Sequence, residues 1–335
     1  MGTRTPVIIL GLGRSGSTLV GAILGAHSRF RICDEWWFLA EASRHIEQGC
    51  PLEVSRSVRL DAWRAWLRVM IRAKMRGAPT ARFGEKCPGL ASWALTVDDL
   101  FSGDVQFIWT IRHPIDLALS WMERWKPEAM LHYLANVHDV TGFSTDRSDL
   151  IRALLQAYRQ HTVYLERLLE RCSNRVHLYR YEEFVRRPTK ALSKLHAFLG
   201  ESPEPNQIAA AFGESRLRIL GGDPKFNHTQ TVHSESIGRW RELSKGDAKL
   251  FAAAFNEYEI ASCMDFLGYR EELKKTRHHF KSLLHRWFGR RVLKGSLVAV
   301  DSMEATGERS SGDLATRRAR ATTRSRWRRS ARFRS

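Results

Sequence analysis

The chain has 335 residues, of which 43% are hydrophobic and 10% aromatic, so it can bury a large core as one α/β domain or one domain with an appendage. Its five cysteines are scattered and form no C-x-x-C pair, which argues against a disulfide framework or a zinc site and favours a reducing compartment. Residues 273–335 carry +14 of the net charge of +18, so the remainder is nearly neutral and the charge does not indicate nucleic-acid binding.

The N-terminal end and the hydropathy pattern predict a cytoplasmic protein that at most lies on a membrane. The apolar run at residues 7–12 is too short for the core of a signal peptide. No apolar stretch reaches the roughly 20 residues that cross a bilayer.

The order of elements predicts an α/β fold with a parallel sheet, because strands alternate with helices. Ligands of such sheets bind at the carboxyl ends of the strands. The predicted strands are 6–12, 81–85, 105–111 and 176–179, and the predicted helices are 16–26, 36–48, 57–76, one from Pro114, 149–172 and 188–199.

A glycine-rich turn joins the first predicted strand to the first helix. Residues 11–18 read G-L-G-R-S-G-S-T, and such a turn at a helix N-terminus makes a cradle of backbone N–H groups for an anion. Ser17 replaces the lysine that an NTPase needs, Arg14 is the strong cation of the loop, and no strand ends in a clear magnesium-binding aspartate. The loop therefore predicts a phosphate-like ligand without a metal; the alternative is a glycine turn that binds nothing.

This loop resembles the 5'-phosphosulfate loop of sulfotransferases that use 3'-phosphoadenosine-5'-phosphosulfate (PAPS). Those loops usually read P-[RK]-S-G-T-T, and this chain has Gly13 for the proline and Ser17 for a threonine. The resemblance implies a P-loop-like parallel sheet flanked by helices, with helical insertions at the acceptor site. It implies PAPS as co-substrate, bound by Arg14, Ser15, Gly16, Ser17 and Thr18.

Three later segments are similar to the same family. R-H-P at residues 112–114, with Ser120 in the helix that follows, resembles the motif that grips the 3'-phosphate of PAPS, and a guanidinium suits a phosphate dianion. Tyr181 begins a Y-E-E-F stretch whose resemblance places it near the adenine nucleotide; the alternative is a tyrosine that satisfies a core hydrogen bond. Ser236 precedes a G-R-W segment that resembles the family's G-x-W closure, although the usual basic pair upstream is missing.

The resemblance covers about residues 6–268 and is closest in pattern to tyrosylprotein sulfotransferases and their bacterial relatives. The shared pattern is R-S-G-[ST]-T-L, then L-x-A-H at residues 24–27, then an acidic pair. It leaves the acceptor open among a sugar, a lipid, a phenol and a peptide tyrosine. Residues 36–80 and 121–147 are predicted to cover that acceptor.

Sulfuryl transfer needs a base for the acceptor hydroxyl and cations for the moving charge. Glu35 is the predicted base by its resemblance to the acidic residue of the tyrosylprotein enzymes. Asp34 competes with it, and the alternative is that both carboxylates cap a helix starting near Trp36. Of the two, Asp34 is predicted to cap this helix and Glu35 to do the chemistry. Lys86, in a segment that resembles the family's K-x-P, is predicted to act on the leaving group together with Arg14; the alternative is a surface lysine paired with Glu85. The transfer is expected to be in line, with no covalent intermediate and no metal.

The C-terminal part is predicted to differ from the sulfotransferase domain, residues 1–270. Residues 271–299 predict a basic amphipathic helix, with Phe280, Leu283, Leu284, Trp287 and Phe288 on one side. That helix either contacts a membrane surface or packs on the domain. Residues 300–335 contain nine arginines within 317–334 and predict a disordered arm.

Two other functions compete with sulfuryl transfer. A P-loop kinase would share the sheet and the loop, but Ser17 and the missing magnesium aspartate disfavour it. A non-enzymatic module that binds nucleic acid or membrane through residues 273–335 would explain the charge and none of the four motifs.

Overall fold

The computed structural model describes residues 5–48, 54–212 and 234–285, without the side chains of residues 284 and 285. Its sheet is parallel throughout, with strand order β2-β3-β1-β4-β5, which confirms the predicted α/β fold. The central strand β1 is fully buried, because β3 and β4 pair with its two edges and helices cover the faces of the sheet. The strands are β1 Val7–Gly11, β2 Phe30–Asp34, β3 Arg82–Lys86, β4 Gln106–Ile111 and β5 Val176–Arg180.

Strand β2 is absent from the strands that the sequence predicts. The segment lies at the edge of the sheet and pairs only with β3, with Ile32 opposite Gly84. An edge strand needs little apolar surface, and in this one Phe30 is the buried residue whereas Arg31 is exposed. The hydrophobic pattern of the sequence was therefore too weak to reveal it.

Thirteen α-helices occur within the described ranges. Proline at the first position starts α5, α6 and α9, where its missing N–H costs no hydrogen bond. The helices are α1 Ser17–Gly25, α2 Phe38–Gln48, α3 Arg56–Lys74, α4 Ala94–Leu100, α5 Pro114–Arg124, α6 Pro127–His138, α7 Arg147–Cys172, α8 Tyr181–Arg186, α9 Pro188–Leu199, α10 Gln207–Ala211, α11 Lys245–Glu257, α12 Ile260–Phe266 and α13 Arg270–His285. None of them is long and apolar enough to cross a membrane.

Helix α13 packs on the domain along its described length up to Lys281. Leu273, Thr276 and Phe280 are buried, and the Thr276 hydroxyl lies 3.1 Å from Nε2 of His113. These contacts favour packing on the domain over membrane contact for this part of the predicted basic helix. Trp287, Phe288 and the arginine-rich segment lie outside the described residues.

Candidate functional site

The carboxyl ends of all five strands meet at one edge of the sheet, and every predicted site residue on a strand end lies there. This follows from the parallel arrangement, in which all the strands point the same way. The glycine-rich turn at residues 11–18, called the phosphate loop below, follows the central strand β1, between the ends of β3 and β4. Around it stand Asp34 and Glu35 after β2, Lys86 at the end of β3, Arg112 after β4 and Tyr181 after β5.

The phosphate loop is held by its own backbone and by packing. Arg14 has φ of 70° and Gly16 has φ of 98°, both left-handed. A Cβ on Gly16 would stand 2.7 Å from Cδ2 of Tyr181, so the close approach of that ring requires glycine. The Ser15 hydroxyl is buried, 2.5 Å from the Leu12 carbonyl oxygen, to which it donates. The amide of Ser15 also donates to this oxygen, over 3.1 Å, so Ser15 stabilises the turn of the loop through both groups.

Two arginines, a tyrosine and two serines form a connected cluster beside the loop. Arg14 Nε donates to the Ser120 hydroxyl over 3.2 Å. Arg112 donates to the carbonyl oxygens of Arg14, at 3.0 Å, and Ser236, at 2.6 Å. Its guanidinium lies 4.7 Å from the centre of the Tyr181 ring, whose hydroxyl is 2.8 Å from the Ser236 hydroxyl. Residues separated by more than 200 positions are thus brought together around two positive charges.

Lys86 is enclosed between two carboxylates, which contradicts the alternative of a surface lysine paired with Glu85. Its Nζ lies 2.6 Å from Oδ1 of Asp34 and 2.7 Å from Oε1 of Glu35, and the residue is 2% exposed. Burial lowers the pKa of Lys86, but the Glu35 and Asp34 carboxylates outweigh this effect and raise the pKa above its usual value. The ammonium therefore stays charged. Its stem packs on Gly21 of α1, the helix that follows the phosphate loop.

Neither carboxylate caps a helix, because α2 begins only at Phe38, so the cap predicted for Asp34 is wrong. Asp34 instead ends β2, and its Oδ2 is buried without a hydrogen-bond partner; burial raises the pKa of this carboxyl. Glu35 has φ of 45° and a side chain that is 25% exposed, against 15% for Asp34. Glu35 is therefore the more accessible of the two.

Two buried carboxylates support the site and were missed from the sequence. Asp116 accepts hydrogen bonds from the amides of Gly238, at 2.6 Å, and Trp240, at 2.9 Å, and so fixes the segment that carries Ser236. Glu182 accepts from the His113 amide over 2.7 Å. Burial raises the pKa of both carboxyls. An acidic residue at a core position of a helix, such as Asp116 in I-D-L-A-L, is the signal that could have revealed them.

Three aromatic side chains pack together near Glu35. Trp121 donates from Nε1 to the Gly13 carbonyl oxygen over 2.7 Å, so it packs against the phosphate loop. The Tyr133 ring lies 5.4 Å from the rings of both Trp121 and Trp125. Burial, followed by the negative charge of Glu35, raises the pKa of Tyr133. These residues belong to the segment 121–147 that was predicted to cover the acceptor.

Glu85 precedes Lys86 in β3 and is completely buried. Neither of its carboxyl oxygens has a partner at good hydrogen-bonding geometry, although the Trp37 amide lies close enough to favour the charged form. Burial dominates and raises the pKa of Glu85 to about 8. The carboxyl is therefore mostly protonated in the folded protein at neutral pH.

We expect this group to make the protein less stable as the pH rises. Between pH 4.5, its ordinary pKa, and about 8, the folded state holds a proton that the unfolded state has lost, so the free energy of unfolding falls with pH. Between about pH 5.5 and 8, Glu85→Gln should reduce the fall in the free energy of unfolding by roughly 3 kcal/mol. Denaturant titrations at both pH values measure the free energy of unfolding, and Glu170→Gln on the exposed surface is the control. An unchanged pH dependence in Glu85→Gln would contradict the assignment.

Within the described ranges, no group of three or more His, Cys, Asp or Glu side chains is arranged to hold a metal ion.

Comparison with known proteins identifies one family and one fold. The model of a family described as the sulfotransferase family matches residues 6–205. The sulfotransferase domain from the curacin biosynthetic pathway has a TM-score of 0.53 and 19% identity, over 72% of this chain and 93% of that one. The sulfotransferase domain from the Synechococcus PCC 7002 olefin synthase has a TM-score of 0.51 and 18% identity, over 73% and 90%. At these identities the likeness to solved structures shows the fold. No curated protein sequence matches the chain.

Proposed function

The chain belongs to the sulfotransferase family, and from this membership we propose that it moves the sulfuryl group of PAPS to the hydroxyl of an acceptor. The observation that carries the proposal is the convergence at one sheet edge of a phosphate cradle and the Lys86–Asp34–Glu35 cluster. A cradle alone would suit many phosphorylated ligands. A buried ammonium beside it, bridged to an accessible carboxylate, supplies the charge stabilisation and the base that group transfer to a hydroxyl requires.

The cluster of Arg14, Arg112, Ser120, Tyr181 and Ser236 is proposed to bind the nucleotide. Arg112 and Ser120 would take the 3'-phosphate, since the guanidinium and the hydroxyl are both connected to Arg14. The backbone of residues 14–18 would hold the 5'-phosphosulfate at the N-terminus of α1. The Tyr181 ring, fixed between Gly16 and Arg112, would stand beside the adenine nucleotide.

The proposed reaction is a single in-line displacement. The acceptor oxygen attacks sulfur while Glu35 takes its proton, and the new S–O bond forms as the bridging S–O bond to the 5'-phosphate breaks. The electron pair of the broken bond stays on the phosphate oxygen of the leaving adenosine 3',5'-bisphosphate. Lys86 and Arg14 would stabilise the charge on that oxygen. No covalent intermediate and no metal take part in the proposal.

Adenosine 3',5'-bisphosphate, without any metal, is expected to raise the melting temperature of the protein. A ligand that binds only the folded state adds about 2.7 kcal/mol at a hundredfold excess over its Kd, roughly 5 °C for a domain of this size. Arg112→Ala should abolish the shift, because the phosphate loses its guanidinium partner. The control Arg186→Ala removes an exposed arginine on α8 and should keep it.

ATP with magnesium is the contrasting ligand in the same assay. A shift by ATP and magnesium without a shift by the bisphosphate would overturn the sulfotransferase proposal in favour of a kinase.

The predicted limits 1–270, 271–299 and 300–335 stay proposals, as does the cytoplasmic location. The burial of Thr276 and Phe280 supports a domain that continues into α13. The acceptor is proposed to be a hydroxyl compound that meets the aromatic residues Trp121, Trp125 and Tyr133.

A further inference from the structure

The outer face of helix α3 exposes large apolar side chains to solvent. Val58 is 55% exposed, Trp66 is 53% exposed and Val69 is 54% exposed. At about 100° per residue these three positions share one side of the helix, within roughly 80° of arc. The exposed alanines Ala62, Ala65 and Ala73 lie on the same side. We call this surface, from Val58 to Ala73, the outer stripe.

The inner side of α3 accounts for the stability of the helix, so the outer stripe is not needed to hold it. Leu60 and Leu67 are buried. The Trp63 ring lies 5.7 Å from that of Phe38 in α2, and Lys74 stands 5.3 Å from the centre of the Trp36 ring. The inner contacts leave Trp66 and the two valines with no role in the core.

Unpaired arginines border the outer stripe at its C-terminal end. Arg68, Arg72 and Arg76 are exposed, and within the described ranges their side chains make no hydrogen bond or ion pair. Arg56, by contrast, is bonded to Glu47 and Asp99, and Arg64 is bonded to Asp61 and the Asp99 carbonyl. The stripe therefore combines exposed apolar groups with three positive charges that have no acidic partner among the described residues.

The charge of α3 decides which partner fits this surface. The helix contains five arginines and one lysine against one acidic residue, Asp61. A second copy placed face to face would bring like charges together, and the arginine-rich C-terminal segment carries the same sign. A partner with an anionic surface and an apolar interior complements both the exposed apolar side chains and the arginines that border them. Arginine stems can lie along apolar surface while their heads reach phosphate, and tryptophan favours the interface between water and hydrocarbon.

We propose that the outer stripe of α3 docks on the surface of an anionic lipid bilayer. Trp66, Val58 and Val69 enter the boundary between head groups and acyl chains, and Arg68, Arg72 and Arg76 contact the anionic head groups. This contact is independent of the proposed sulfuryl transfer and of the C-terminal segment. It gives the domain itself a membrane-facing side.

The test is sedimentation of the full chain with phosphatidylcholine vesicles that contain or lack phosphatidylserine. Trp66→Ser with Val69→Ser should weaken binding to the anionic vesicles about tenfold, because exposed apolar area is lost. Arg68→Gln with Arg72→Gln should weaken this binding about 25-fold at low salt, at about fivefold per charge. All four side chains are exposed, so folding is expected to be preserved, and the melting temperature checks this.

Matched variants distinguish binding through the outer stripe from nonspecific hydrophobic or electrostatic binding to the vesicles. Phe266→Ser removes another exposed apolar side chain, on α12, and Arg186→Gln with Lys190→Gln removes two exposed charges on α8 and α9. Both controls should bind as the wild type does. Equal binding of the α3 variants and the wild type would assign any lipid affinity to the C-terminal segment and overturn the proposal. Absence of wild-type binding would also overturn it, as would a dimer in light scattering that Trp66→Ser with Val69→Ser disrupts.

Discussion

Glu35→Gln is expected to lower the rate of sulfuryl transfer by about a thousandfold while leaving the binding of adenosine 3',5'-bisphosphate unchanged. The amide keeps the shape of the side chain but cannot accept the proton of the acceptor hydroxyl. One oxygen of Glu35 is held by Lys86 at 2.7 Å, and the side chain is 25% exposed, so it can meet an acceptor. The nucleotide cluster around Arg112 does not involve Glu35 and should bind as before.

Asp34→Asn is the matched control for that experiment. Asp34 also lies against Lys86, but its other oxygen is buried, so its amide variant should lose far less activity. Turnover is followed as release of adenosine 3',5'-bisphosphate from PAPS, with whichever simple phenol or alcohol the wild-type protein sulfates fastest. If the rate fell about a thousandfold in Asp34→Asn and stayed near that of the wild type in Glu35→Gln, Asp34 would be the base.

Lys86→Met is expected to lower both the rate and the stability of the protein. Removal of one preorganised donor at a developing negative charge costs about a hundredfold to a thousandfold in rate. The same change leaves two carboxylates facing each other without their cation, and breaking a buried ion pair in this way costs about 3–5 kcal/mol in the free energy of unfolding. The loss of stability should be smaller at low pH, where the carboxylates take up protons.

A double variant separates the two effects of Lys86. Asp34→Asn combined with Lys86→Met removes one of the unpaired charges, so it should recover part of the stability and none of the rate. Denaturant titration measures the first quantity and bisphosphate release the second. A Lys86→Met variant with a rate within tenfold of the wild type would show that the lysine does not act on the leaving group.

The sequence was most informative where a function depends on a contiguous segment. The phosphate loop, R-H-P with Ser120, and the Tyr181 and Ser236 segments are each local, since their backbone conformation and side chains lie within a few residues of one another. The alternation of strands and helices was enough to predict a parallel sheet, and a parallel sheet requires the strand ends to meet at one edge.

The prediction failed where a feature depends on a partner distant in sequence. β2 is a strand because β3 pairs with it, although its own residues give a weak signal. Asp116 and Glu182 are buried acceptors because amides of Gly238 and His113 point at them. The prediction that Asp34 caps a helix assumed a helix at Trp36, whereas the chain turns through left-handed conformations at Glu35 and Trp37 before α2 begins.

The sequence by itself determined the fold class, the family resemblance and the list of candidate site residues, because local pattern and composition encode these. The tertiary structure alone decided how those residues are charged and what they touch. Lys86 is an enclosed ammonium between two carboxylates, and Glu85, its neighbour in the chain, is a buried carboxyl with a pKa near 8. Adjacent residues in a strand point to opposite faces of the sheet, so two consecutive charged side chains can lie in entirely different environments. Each environment is determined by the elements that pack on that face.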